Sequence, residues 1–140
     1  MKTYSLANSN LNVSSVILGL MRIGQMSDAD IRKLVDTALS AGINMVDHAD
    51  VYGQPLHHCE SRFAQAMQFS PADRAKIVIQ SKAGIRKGYF DFSESHLLEA
   101  VDGSLLALKT SRERYRQCTP VWHRVRSLDL FWRWECINVH

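Results

Sequence analysis

Three short apolar runs constrain this chain more than anything else in it. They are SVILGLMR (15–22), INMVD (43–47) and AKIVIQSK (75–82), and they start roughly 30 residues apart. That is the length of one βα unit, because a strand can return parallel to its neighbour only through a crossover, usually a helix. The intervals carry helical signals. Ser27, with Asp30 three residues on, makes a capping box at the head of SDADIRKLVDTALSAG. In that segment Ile31, Leu34, Val35, Ala38 and Leu39 fall on one face, and Gly42 stands where a helix stops. LHHCESRFAQAMQF (56–69) predicts a second helix with Phe63, Ala64 and Met67 inward. SESHLLEAVDGSLLALK (93–109) predicts a third, through Leu97, Leu98, Val101, Leu105 and Leu108, after a polar loop.

Parallel strands joined by helices make an α/β fold, and two architectures compete for it. An open doubly wound sheet fits inside 140 residues, whereas a barrel of eight units needs about 250, so length favours the open sheet. The polar residues argue the other way. In both architectures function gathers at the carboxyl ends of the strands. Asp47 and Tyr52 follow the second run and Lys82 ends the third, so an acid, a phenol and an amine converge on one rim. An open-sheet nucleotide binder calls for a glycine-rich turn after its first strand. Here GLMRIG offers only Gly19 and Gly24, with no G-x-G-x-x-G and no phosphate-loop Lys-Ser/Thr.

Those same residues carry a resemblance. LNVSSVILGLMRIG, AGINMVDHADVYG and KIVIQSKAGI resemble the opening segments of aldo-keto reductases, and G-[IV]-N-x-x-D-x-A-x-x-Y-G is the specific motif among them. DHADVYG resembles the bacterial oxidoreductase branch. The likeness covers residues from about 3 to about 110. It implies a partial (β/α)8 TIM barrel of about three βα units. The N-terminal stretch TYSLANSNLNVSS would be a small hairpin closing the bottom. It also implies reduction of aldehydes or ketones with NADP(H).

By that resemblance Tyr52 is the general acid that protonates the carbonyl oxygen. A free phenol titrates near 10, and a nearby ammonium stabilises the phenolate. Lys82 supplies that charge, and Asp47 holds Lys82 charged and oriented. Gly19, Leu20, Met21 and Arg22 at the end of the first strand, together with Asp47, are the cofactor-binding candidates. His48 and Asp50 read as loop-setting residues. His57, His58 and Cys59 have no fourth ligand at matching spacing, so they read as the start of a helix and no metal site is expected.

Past Thr110 the composition changes. Residues 1–110 hold 11 Lys+Arg against 11 Asp+Glu, but residues 111–140 hold six Arg, no Lys and three acids. All three tryptophans, Trp122, Trp132 and Trp134, lie there, with Cys118 and Cys136 and no glycine. The family's next strand ends in His-Arg-Pro-Asp and supplies a histidine to the substrate carbonyl. Its expected place holds Thr119, and His123 is the nearest histidine.

Three readings of this stretch stand: a basic aromatic surface for nucleic acid or membrane; a strand through Leu128, Leu130, Trp132 and Trp134; and translation out of frame after a small insertion or deletion. The loss of Lys and Gly fits the third best, and another frame past codon 110 would then encode the missing strand. The chain accordingly divides into residues 1–110, the N-terminal part of a barrel, and residues 111–140, a divergent basic tail.

The expectation is a truncated reductase rim, inactive in isolation and prone to associate through open sheet edges. Its partner would be a small-molecule carbonyl substrate, not a nucleic acid or a membrane. The alternatives are a noncatalytic half-barrel that pairs with a partner chain and a basic-tail binding protein. No apolar run reaches the ~18 residues of a membrane span, the start has no signal-like core, and three unpaired cysteines read as thiols, so a cytoplasmic setting is the expectation.

Overall fold

The computed structural model describes residues 1–6 and 11–110. The readings placed on 111–140, including His123, the alternating strand and two of the cysteines, lie outside the described residues. A hairpin opens the chain, with β1 (Thr3–Ser5) antiparallel to β2 (Asn12–Ser14) and Tyr4 opposite Val13. Then β3 (Leu18–Gly19), β4 (Met45–Asp47) and β5 (Val78–Gln80) form a parallel sheet in the order β3-β4-β5. Helix α1 (Asp28–Ser40) connects β3 to β4, and α2 (His58–Met67) with the short α3 (Pro71–Arg74) connects β4 to β5. A second hairpin, β6 (Ile85–Arg86) with β7 (Tyr89–Phe90), precedes α4 (Glu94–Ala107).

The helices start and stop for local reasons. Ser27 and Ser70 each accept a backbone N–H three residues on, from Asp30 and Asp73 at 3.1 Å, and Ser93 accepts from His96 at 3.4 Å. Each bond satisfies one of the orphan donors of a helix N-terminus. After α1, Gly42 sits at φ +84° and its N–H bonds Leu39 O, while Ile43 N–H reaches back to Ala38 O. That left-handed step is what glycine permits at a helix end.

The strand alternation decides the architecture. Val46 and Ile79 face a core that takes Ile31 and Val35 from α1 and Cys59, Phe63 and Ala66 from α2. Both helices therefore cover the same side of the sheet. On the opposite side Met45 and Val78 pack with Val13 and Leu6 of the hairpin. A doubly wound sheet would carry helices on both faces. Helices on one face, with a hairpin plugging the other at the strands' N-terminal ends, is an arc of a barrel wall.

Several expectations change in detail. The first strand shrinks from 15–22 to Leu18–Gly19. In α2 the buried residues are Cys59, Glu60, Phe63 and Ala66, with Ala64 and Met67 only half-buried. The helix is rotated so that Ala66 takes the inward place expected of Ala64. Leu98 of α4 is exposed, and Ala100 and Ser104 line the packed face instead. The loop after β5 holds a hairpin turning at Gly88, φ +84°. Its base is held by Gly84, φ +103°, where an added Cβ would run into the Phe92 ring.

Candidate active-site rim

The C-terminal ends of the three parallel strands form the site. Register places Gly19 beside Asp47 and Asp47 beside Gln80. The ladder runs on past the strands, with Leu20 N–H on Asp47 O (3.0 Å), His48 N–H on Gln80 O (2.8 Å) and Asp50 N–H on Lys82 O (3.0 Å). Because strand side chains alternate, Asp47, Gln80 and Lys82 share the inner face. His48 and Ser81 turn outward to the helices.

Lys82 is the centre of the inner cluster. Its ammonium donates to both carboxylate oxygens of Asp47 at 2.7 Å and to His48 O at 2.8 Å. These are the three donors an ammonium has. The Lys82 side chain is 13% exposed and that of Asp47 25%. Tyr52 stands over the pair, with Lys82 Nζ 4.9 Å from its ring centroid. Among the described residues the contact between lysine and phenol is therefore through the ring face rather than a hydrogen bond. Tyr52 is fixed from behind, its N–H on Ala49 O and its carbonyl accepting from Cys59 N–H, both at 3.0 Å. Asp47, Tyr52 and Lys82, chosen from three separated positions in the sequence, thus meet in one place.

The remaining candidates divide. Gly19 is exposed at the same level as Asp47, and among the described residues a Cβ there would meet nothing within 4 Å. Met21 and Arg22 are exposed beside it. Leu20, by contrast, is 0% exposed and packed in the helix-side core, so its side chain cannot reach a ligand on the rim. That is the alternation of the strand: a residue next to Gly19 points the other way.

Behind the rim lie buried polar groups; the sequence assigned no role to Gln80 or Glu60, and His48 and Asp50 read as loop-setting residues. Gln80 Nε2 donates to Asp47 Oδ1 at 2.8 Å. In IVIQSK the period-2 relation of Gln80 to Lys82 was the available signal. His48 is wholly buried with its ring edge-on to Phe63, centroids 5.0 Å apart. Asp50, also buried, pairs with Arg86 of β6 at 2.9 Å and so ties the second hairpin to the Tyr52 loop.

Glu60 is buried and accepts from Ser81 (2.5 Å) and Ser104 (3.1 Å), with His57 Nδ1 at 2.6 Å. Burial alone would push this carboxyl up. The hydrogen bonds from His57 and Ser81, with the nearby histidine charges, outweigh it and hold the carboxyl below its usual range. His57 thus serves the helix start, as does Cys59, whose thiol approaches Met21 O at 3.5 Å. Among the described residues no three His, Cys, Asp or Glu side chains are arranged to hold a metal, and no helix is long and apolar enough to cross a membrane.

Comparison with known proteins agrees with this geometry. The profile of the Aldo/keto reductase family matches residues 15–117. An uncharacterised oxidoreductase of Bacillus subtilis is 35% identical over 113 residues, covering 72% of this chain and 37% of that protein. A 6-dehydroglucose reductase of Novosphingobium aromaticivorans is 34% identical over 111 residues, covering 74% and 36%. The solved holo form of an aldo-keto reductase from Bacillus halodurans superposes with a TM-score of 0.64 at 31% identity, over 79% of this chain and 37% of that one. The chain spans a little over a third of the length of these relatives.

Proposed function

The chain belongs to the aldo/keto reductase family, and from that premise we propose that its rim serves the NADP(H)-dependent reduction of aldehydes or ketones to alcohols in the cytosol. The observation that carries the reading is the Lys82 ammonium, held by Asp47 and His48 O and lying 4.9 Å from the Tyr52 ring centroid. Tyr52 donates its proton to the carbonyl oxygen of the substrate. The phenolate left behind faces a fixed positive charge, which favours the transfer. Asp47 holds the Lys82 ammonium in place through both of its oxygens.

The residues present fit the nicotinamide half of the cofactor. Gly19 leaves the rim open where a side chain would fill it, and Met21 and Arg22 are exposed next to it. The partly exposed Asp47 carboxylate can accept from a hydroxyl. Leu20 contributes backbone only. The nicotinamide, when bound, supplies the hydride.

In isolation the 140-residue chain contributes the proton-donor side of the rim and does not turn over. The test is a chimera in which residues 1–110 are followed by the rest of the Bacillus subtilis relative's barrel. It should oxidise NADPH in the presence of an aldehyde, and the 140-residue chain should not. A folded chimera that binds NADPH and reduces no carbonyl compound would refute the proposal.

A further inference from the structure

We propose that Gln80 is a positioning residue of this rim, setting the Asp47 carboxylate that in turn holds Lys82. The inference rests on the reading of Asp47, Tyr52 and Lys82 given above. Gln80 lies directly beside Asp47 in the β4–β5 register, on the same inner face, one layer above Met45 and Val78. It is buried, yet among the described residues no backbone group holds its side chain. Nε2 goes to Asp47 Oδ1 at 2.8 Å, and Oε1 has no partner among the described residues. A buried amide left half-satisfied costs stability, so apolar packing alone would favour a leucine or methionine, as at Met45 and Val78 below.

What the amide does is electrostatic and geometric. Among the described residues Asp47 Oδ1 accepts from both Gln80 and Lys82, whereas Oδ2 accepts from Lys82 alone. The carboxylate can swing about its own bond unless something other than the lysine fixes it. Gln80 is that second point, and it ends β5 two residues before Lys82. With the carboxylate fixed, both oxygens face Nζ, and the third ammonium proton is left for His48 O. The ammonium is then held where its charge meets the Tyr52 ring. Removing the amide frees one edge of the carboxylate and loosens Lys82 without touching Tyr52.

The test uses the 140-residue chain and competitive acylation of its lysines, read peptide by peptide in a mass spectrometer. Acylation needs an amine that can leave its partners and reach the reagent, so every bond that holds Lys82 in place opposes it. Gln80→Met keeps the length of the side chain and removes the donor. Relative to exposed Lys76, labelling of Lys82 should rise about threefold to tenfold, the range expected when all or half of one hydrogen bond to a charged group is lost. Backbone amide exchange at Val46 and Ile79 should stay as in the parent, which a general loosening of the sheet would not allow. Unchanged Lys82 labelling in Gln80→Met, with Asp47→Asn raising it, would overturn the inference.

Should Gln80→Met not fold, Asp47→Asn compared with the parent still decides: the Gln80 side-chain amide protons must shift upfield in the variant, and an unmoved resonance refutes the contact. None of these readouts needs turnover. A positive result with an inactive chimera would leave Gln80 as proposed and remove the reductase reading instead.

Discussion

Acidification should loosen this fold through His48 before the carboxylates respond. The imidazole is wholly buried against Phe63, and neither ring nitrogen has a partner among the described residues. Burial disfavours the imidazolium; Glu60 pulls the other way, and Lys82 adds to the depression, leaving the pKa lowered from 6.5 to about 4. Above pH 6.5 the ring is neutral in folded and unfolded chains alike, so it contributes nothing. Between the two values the unfolded chain binds a proton that the folded one refuses, so stability falls as the pH falls. The whole interval corresponds to about 3 kcal/mol, of which about 2 kcal/mol is lost by about pH 5.

Glu60 acts lower down. Its carboxyl is depressed, so its contribution is present above the ordinary value of 4.5 and lost as the pH drops through the folded value. Urea unfolding of the parent and of His48→Met at about pH 7 and about pH 5 separates the terms, because subtracting the two profiles cancels the other histidines. The parent should lose about 2 kcal/mol more than the variant over that step. Equal losses in the two proteins would refute the burial argument.

Two further outcomes follow from the rim and the sheet. Asp47→Asn leaves the Lys82 ammonium, only 13% exposed, without its carboxylate, and breaking such a pair costs about 2–3 kcal/mol at this partial exposure. Exchange of the His48 and Asp50 amides should then quicken by about 30- to 150-fold, and Lys82→Met added to it should restore most of the protection; unchanged exchange would show that the pair carries no strain-free stability. On a sizing column the 140-residue chain should run as a discrete oligomer or larger, since β3 and β5 are the edges of the described sheet and Leu106 is 82% exposed. A sharp monomer peak at all concentrations would contradict that.

Much of this architecture was legible because the local signals agree with one another. The caps at Ser27 and Gly42, the apolar stripe of Ile31, Val35 and Ala38, and the buried run Ile77–Ile79 each point to the element that forms. Asp47, Tyr52 and Lys82 could be placed on one rim because strand ends in a parallel sheet must lie together. What escaped depends on partners remote in sequence. Gln80 gains its meaning only from its register with Asp47, 33 positions away. Asp50 was readable as a loop-setting residue, but its partner Arg86, 36 positions away and within 2.9 Å, was not. His48 reads as a loop-setting residue, but alternation turns its ring into the core against Phe63. The hairpin at Ile85–Phe90 has strands of two residues each, too short to show a period.

The central claim is that Tyr52 is the proton donor of a carbonyl-reducing rim, and Tyr52→Phe in the chimera of residues 1–110 with the relative's remaining barrel tests it most directly. The substitution removes one hydroxyl and keeps the ring against which Lys82 Nζ lies at 4.9 Å. Aldehyde reduction should fall by about 10² to 10⁴-fold, the usual weight of a positioned general acid, while NADPH binding followed by nucleotide fluorescence stays within about twofold, since the hydroxyl is not assigned to the cofactor. A Phe variant that turns over near the parent rate would remove Tyr52 from the chemistry.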